Sequence, residues 1–528
     1  MSFLPIVARE LRVAARRKNT YRIRVWTAAI ALGVGCFTLA VVLLGSGFSS
    51  PGKPLYTVLT SYAFGLCLLA GVLLTADCLS EEKREGTLGL LFLTDLKGYD
   101  VVLGKFIAMS LSAFYGLLAI LPITGLALLM GGLTGGEFCR MTLALVNALF
   151  FSLAAGICVS AFGRDSQRVM AGTLGVVILF AAVLPAMGQI GTAFPAALAW
   201  TWLAWISPYS PFALALEPVY WGQPGKYWGT LLASQSLGWA LLALSSRALP
   251  HLWQERAASG SGKGLGRFAP WRQGGFARRA KAPKELLAIN PVLWLMSSGP
   301  DLRRVAWMIA AAWGAVVLLG ALFAPDEMGS LALSYYGVQP FGFLLKWLVA
   351  LQACRFFVEA RRAGALEMLL CAPLTSREIL EGQTLALRRS FLRPAVALLA
   401  LLLVQFVVRV ALARTRAAAG MENAVLDAAL AFLGWCMYCV RMYADCCAIA
   451  WFGMWLALTQ KKPGMAPALT ILFVLVVPSM LCWLDIIADL FLILWSMAKL
   501  RRSDLRSLIA REYQPVTPTT GLLPVAAS

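Results

Sequence analysis

Ser80–Lys105 reads SEEKREGTLGLLFLTDLKGYDVVLGK, and Phe357–Gln383 reads FVEARRAGALEMLLCAPLTSREILEGQ. Long apolar runs stand on both sides of the first segment. At the centre of a bilayer its Glu81, Glu82, Lys83, Arg84, Glu85, Asp95 and Lys97 would each cost about 2.5–3.5 kcal/mol. The sum, on the order of 20 kcal/mol, places the segment outside the membrane. The second segment aligns with it without a gap: Glu81 with Glu359, Arg84 with Arg362, Gly86 with Gly364, Leu88 with Leu366, Leu91 with Leu369, Leu96 with Leu374, and Gly104 with Gly382. Each copy has a charged first turn, then leucines at helical spacing (Leu88, Leu91; Leu366, Leu369, Leu370). A break follows at Asp95–Gly98 or at Pro373, and Thr375 with Glu378 form a capping box for a new helix. The pattern predicts a short amphipathic helix on the membrane face, a turn, and re-entry. An interfacial helix that only anchors a loop would look similar. Duplication at matching positions points instead to a two-sided partner.

Composition agrees with a membrane setting. Of 528 residues, 60% are hydrophobic and 14% charged, and the mean hydropathy is +0.74. Soluble domains run at roughly 45–50% apolar and about 25% charged. The formal charge of +20 suits cytoplasmic loops, where Lys and Arg gather. A nucleic-acid surface would need an exposed basic strip with interleaved aromatics, and the sequence has none. No cleavable signal peptide is visible, since the first apolar stretch is long enough to stay in the bilayer. The 12 cysteines sit mostly within apolar runs and read as reduced, small hydrophobes.

Windows of about 20 apolar residues give Val25–Leu44, Leu55–Cys78, Val101–Met130, Met141–Ala161, Val169–Ile190 and Trp228–Leu249 in a first set. The second set is Val305–Phe323, Phe341–Cys354, Phe391–Ala411, Leu426–Leu458, Ala466–Trp483 and Ile486–Leu500. Leu426–Leu458 is too long for one simple span, and the last two windows are joined tightly. Phe194–Trp221, rich in Trp and Pro, reads as a re-entrant or interfacial hairpin. An even span count puts both termini on one side. Most Lys and Arg fall in the termini and in the loops of Ser80, Arg164, Lys263, Arg362 and Lys461, which makes that side cytoplasmic. Lys53, Arg140, Lys226, Arg414 and Arg416 fall opposite.

The expected fold is an all-α polytopic membrane protein, about twelve spans in two tandem six-helix bundles. Residues 1–250 form the first unit and 284–528 the second, which ends in a short basic tail. Residues 251–283, rich in Gly, Ser and Arg, read as a cytoplasmic linker.

A charged stretch followed by EGTLGLLFLTDLKGYDVVLGK, after span two of six, resembles the signature of ABC-type export permeases of the type-2 class. RRAGALEMLLCAPLTSREILEGQ resembles it too, with Ala365 in place of Thr and Gln383 in place of Lys. In that family the segment is a coupling helix seated in a groove of the nucleotide-binding subunit. The resemblance implies that role for Glu82, Glu85, Gly86, Thr87, Leu88 and Leu91, and for Glu359, Gly364, Leu366, Glu367, Leu369, Pro373 and Leu374. LPIVARELRVAARRKNTYRIRV looks like the family's interfacial connecting helix, with Arg9, Glu10 and Arg12 on its basic face. NPVLWLMSSGPDLRRV (Asn290–Val305) is the counterpart, with Leu295 and Met296 replacing the Arg-Glu pair. The resemblance further implies two copies of an ATP-binding-cassette subunit carrying ATP and magnesium, a lipid environment in the cell (inner) membrane, and one chain forming a pseudo-two-fold permease that drives substrate efflux.

No cofactor site is expected in this chain itself. A phosphate-cradling loop needs G-x-x-x-x-G-K-[ST] after a strand. GSGKG at Gly260–Gly264 lacks the first Gly, where Ala257 stands, and puts Gly264 after Lys263. The single histidine, His251, near a helix end, reads as solvated or dipole-matched. Cys436, Cys439, Cys446 and Cys447 have no His or carboxylate set to complete a metal site. Arg441 and Asp445, four apart, are expected to form an internal ion pair. Asp485 and Asp489 share a face near a membrane boundary, and Lys346 and Arg409 can snorkel. Two alternatives stand beside an exporter subunit: an ion-coupled secondary transporter and a non-transporting scaffold that recruits soluble partners. No convergent nucleophile, base or metal set suggests an enzyme.

Overall fold

The computed structural model describes residues 18–44, 51–93, 97–163, 166–191, 201–252, 285–297, 302–323, 338–362, 365–417, 424–460, 465–479 and 485–502. There is no strand among the described residues. Helices suit hydrocarbon because each closes its own backbone hydrogen bonds. The protein is an all-α polytopic membrane protein.

The first half opens with α1 (Lys18–Leu44) and α2 (Gly52–Ala70), which continues through a π turn (Gly71–Thr75) into α3 (Cys78–Glu85). Next come α4 (Thr87–Leu93), α5 (Gly98–Leu129), α6 (Gly135–Phe162), α7 (Ser166–Ile178), a π turn (Leu179–Val183) and α8 (Leu184–Gly191). A 3-10 turn (Thr201–Ile206), α9 (Tyr209–Leu214) and α10 (Glu217–Tyr220) lead to α11 (Pro224–Leu252).

The second half begins with α12 (Glu285–Ile289), α13 (Pro291–Ser297), α14 (Leu302–Phe323) and α15 (Val338–Arg362). It continues with α16 (Ala365–Cys371), α17 (Ser376–Ala417), α18 (Ala424–Thr459) and α19 (Ala466–Ile471). A π turn (Leu472–Val476), α20 (Val477–Ser479) and α21 (Asp485–Arg502) complete it.

Six helices among the described residues are long and apolar enough to cross a membrane, and three apolar helices are shorter. All twelve apolar windows fall on helix, Ala466–Trp483 as far as its described part extends. Leu426–Leu458, too long for one simple span, lies on one unbroken helix. With no proline inside it, α18 runs for 36 residues, and at 1.5 Å per residue it is about 54 Å long. The basic linker, the N-terminal segment and the C-terminal tail lie outside the described residues.

Small residues let the bundles close. Gly71 N–H donates to Ser152 Oγ (2.9 Å) and Thr75 Oγ1 to the Leu153 carbonyl (3.1 Å), which joins α2 to α6. A Cβ on Gly71 would overlap the Ser152 backbone, so glycine is required by the close approach. One apolar core, around Tyr56, Leu79, Leu88 and Tyr227, belongs to the first half alone. Another gathers Phe357, Ile379 and Met454 with Leu69, Val72, Val169 and Leu174 of the first half. The seam between the halves therefore runs through α2 and α7 on one side and α15 and α19 on the other. At the far end of the first half the stretch after α8 folds as short pieces against α6 and α11. There the Arg140 guanidinium stacks on Tyr220 at 3.9 Å, and Tyr227 Oη donates to the Arg140 carbonyl (2.8 Å).

The buried charges correct the expected Arg441–Asp445 pair. Asp445 pairs with Lys346 of α15, and Arg441 Nη2 lies 2.6 Å from Asp485 Oδ2 of α21. The two residues do share a face of α18, but other helices pack on that face with charges of their own. Lys346 is accordingly buried and does not snorkel. Asp489, 0% exposed, lies against Asp445, the two carboxyl groups within hydrogen-bonding reach of each other. The side chain of Arg409 lies outside the described residues.

Candidate coupling surface

The first copy folds as α3, a one-residue break and α4. Helix α3 stops because Gly86 takes φ +72°, the left-handed conformation that ends helices. Nothing lies near a Cβ built there, so the demand for glycine is conformational and not steric. Leu88, 1% exposed, anchors α4 in the first core, while Leu93 at its end is 80% exposed. Glu85 and Gly86 are exposed and Thr87 half-buried, its hydroxyl donating to the Glu82 carbonyl (3.3 Å). The side chain of Leu91 lies outside the described residues.

Glu82 turns inward. Its Oε1 meets Lys105 Nζ of α5 at 2.6 Å, with side chains only 13% and 8% exposed. On the outer side Arg84 makes a two-pronged contact with Asp77, at 3.0 and 3.1 Å. Ser160 Oγ on α6 accepts from the Leu79 and Ser80 amides (3.1 and 3.0 Å), taking up two of the donors that the start of α3 leaves open.

The second copy repeats the plan. Helix α16 buries Leu366 (2% exposed) and presents Met368 (74% exposed) beside the exposed Glu367. Leu369 and Leu374 are half-buried and Pro373 exposed. Glu359, on the outer face of α15, pairs with Arg355 one turn earlier (2.7 Å). Gly364 lies outside the described residues, as do Arg9, Glu10 and Arg12. The capping box forms as expected: Thr375 N–H donates to Glu378 Oε2 (2.8 Å), and Glu378 N–H to Thr375 Oγ1 (3.2 Å). In the first copy Lys97 N–H donates to Asp100 Oδ2 (3.1 Å) at the matching position.

Three correspondences tie each copy to its bundle. Lys83 donates to the Ala161 carbonyl at the end of α6; its counterpart Arg361 donates to Ala457 and Gln460 (2.9 and 3.0 Å) at the end of α18. A cation is suited to the free carbonyls of a helix C-terminus. Leu88 and Leu366 are the paired apolar anchors. The third correspondence is a coordinated replacement. The ion pair Glu82–Lys105 becomes Ala360 and Gln383, and Gln383 Nε2 donates to the Gln352 and Ala353 carbonyls (3.2 and 3.1 Å).

Sequence patterns did not single out Asn290. Its Oδ1 accepts from the Val292 and Leu293 amides (2.8 and 3.3 Å) and starts α13, while its Nδ2 donates to the Glu378 carbonyl (3.0 Å). Helix α13 is thus fastened to the first turn of α17, immediately after the second copy of the repeated segment. An Asn-Pro at the head of an apolar run is an N-cap signal that could have revealed the cap. Its tie to Glu378 has no local signature. Among the described residues no three His, Cys, Asp or Glu side chains gather to hold a metal.

A polytopic helical scaffold bearing a bundle-anchored surface helix after its second span has the architecture of a transporter's membrane component. Residues 22–248 match the family described as ABC-2 family transporter protein. The match covers less than half of the chain and supports an ABC-2-type permease; proteins of that family are the membrane components of transporters. Members of that family generally partner with ABC ATPase subunits. No curated protein matches the chain.

Proposed function

We propose that this chain is the membrane-spanning subunit of an ATP-driven exporter in which two permease units, 1–250 and 284–528, are fused through the linker 251–283. Two copies of a separate ATPase subunit, carrying ATP and magnesium, dock on the two coupling segments, one per half. Both segments and both termini face the cytoplasm in the cell (inner) membrane. Closure of the ATPase pair moves the two bundles against each other and drives efflux. The observation that carries this reading is the repeated clamp: Lys83 and Arg361 hold equivalent surface helices to the ends of equivalent spans, α6 and α18.

Leu93 and Met368 are the test positions, because their exposure lets an acid be tolerated by the fold while an apolar partner groove rejects it. Leu93→Asp with Met368→Asp should purify as a folded membrane protein that no longer retains its ATPase or stimulates ATP hydrolysis. Retention of both properties would refute the assignment. The cluster of buried Lys346, Asp445, Asp489 and Asp485 with half-buried Arg441 favours a second reading, an ion-coupled carrier. That reading requires uptake or efflux driven by a proton or sodium gradient without the ATPase. Gradient-driven flux from the chain alone in proteoliposomes would favour it.

A further inference from the structure

A cavity of about 380 Å³ opens where α14 meets α17, lined by Arg303, Leu385, Arg388, Arg389, Leu392 and Arg393. The five residues from α17 recur at i, i+3, i+4, i+7 and i+8, the spacing of one helix face. Such a stripe on a helix usually carries apolar side chains; here three of its five positions are arginine. Among the described residues no carboxylate lines the cavity. Among the described residues no ion pair engages Arg388, Arg389 or Arg393, although α17 does pair Arg377 with Glu381 one turn into the helix. The guanidinium groups of Arg388, Arg389 and Arg393, on one helix face beside this volume, repel each other unless an anion joins them.

The surroundings indicate which anion. Immediately after Arg393 the helix becomes continuously apolar over Pro394–Val404, with Val396 and Val404 exposed on its outside and Val407 exposed beyond Gln405. The arginines therefore stand where α17 changes from polar to apolar, the level at which basic side chains meet headgroups. Leu385 and Leu392, both exposed, add apolar surface inside the same cavity. A guanidinium fork matches two phosphate oxygens at once. The first half has no such set: continuing the gap-free register puts Ser110, Leu111 and Tyr115 at the places of Arg388, Arg389 and Arg393. There Arg24 stacks over Tyr115 at 4.2 Å.

We infer that this cavity binds the phosphate of an anionic phospholipid headgroup, with the acyl chains lying along the exposed apolar face of α17. Basic pockets between spans on the cytoplasmic side take lipid phosphates by the same chemistry. The site belongs to the second half alone and stands whether or not the chain couples to an ATPase.

The test uses the full chain, purified and placed in nanodiscs of phosphatidylcholine with or without phosphatidylglycerol. Retained lipid is read by native mass spectrometry after release into detergent. Wild type should retain phosphatidylglycerol over phosphatidylcholine, and Arg389→Gln with Arg393→Gln should weaken that retention by about thirtyfold. Arg377→Gln, outside the cavity, should leave it unchanged. Should the paired variant fail to fold, Arg393→Lys serves: it keeps the charge, loses the fork and should retain the lipid preference only in part. Equal retention of both lipids by wild type, or full retention by a folded paired variant, overturns the site. Displacement by inorganic phosphate alone, with no preference among lipids, overturns the lipid as ligand.

Discussion

Exchanging the buried pair of the first copy for that of the second gives a quantitative test of the duplicated frame. Glu82 and Lys105 lie 2.6 Å apart and are nearly sealed from solvent. At that separation an effective dielectric of about 20 gives roughly 6 kcal/mol of raw attraction, most of it offset by desolvation. Glu82 Oε2 already has no hydrogen-bond partner among the described residues, so its charge relies on Oε1 and the lysine. Lys105→Gln alone should therefore destabilise the chain by about 3–5 kcal/mol, the usual effect of stranding a buried charge. Glu82→Ala with Lys105→Gln recreates Ala360 and Gln383, a combination the same local frame already accommodates. The double variant should lie within about 1 kcal/mol of wild type, giving a coupling of about 2–3 kcal/mol or more. The assay is a double-mutant cycle of the full chain in micelles, with reversible unfolding followed by tryptophan fluorescence. A single variant within about 0.5 kcal/mol of wild type, or a double variant equal to the sum of the two singles, would refute the reasoning.

Gly71→Ala should destabilise by about 1–3 kcal/mol, because the added methyl overlaps the Ser152 backbone and α2 must draw away from α6; thermal unfolding in micelles measures it. Asp445→Asn should be severe, about 3–5 kcal/mol, because it strands buried Lys346, whereas Asp489→Asn, which keeps a donor facing Asp445, should stay within about 1 kcal/mol. Comparing the two by chemical unfolding separates the acid that holds Lys346 from the acid beside it. Asn290→Ala should reduce stability by about 1 kcal/mol and speed amide exchange across Pro291–Ser297, as its Oδ1 caps that helix.

The apolar helices were legible because hydrocarbon demands long apolar runs, and every window fell on helix as far as the described residues extend. The duplicated segments were legible for a different reason: charges too costly to immerse, followed by leucines at helical spacing. Leu88 and Leu366 accordingly point into the bundle. What the sequence hid was the choice of partner. Arg441 and Asp445 satisfy the spacing rule for a pair on one helix, yet α21 brings Asp485 and α15 brings Lys346, from 44 positions ahead and 99 behind. Local spacing carries no information about such neighbours. Glu82 looked like one more acid on an outward turn, and its inward direction depends on Lys105 facing it across the bundle. A comparison of the copies carries a trace of this, since acid and base disappear together in the second. Leu426–Leu458 is longer than one simple span needs, yet nothing in its composition breaks the helix.

The cation joining each surface segment to the end of its bundle's fourth span has a mechanical consequence. Lys83 and Arg361 grip terminal carbonyls, acceptors that a helix leaves without an internal donor. In the proposed exporter, a load on either segment would pass through these contacts to the end of α6 or α18 before it reached any other span.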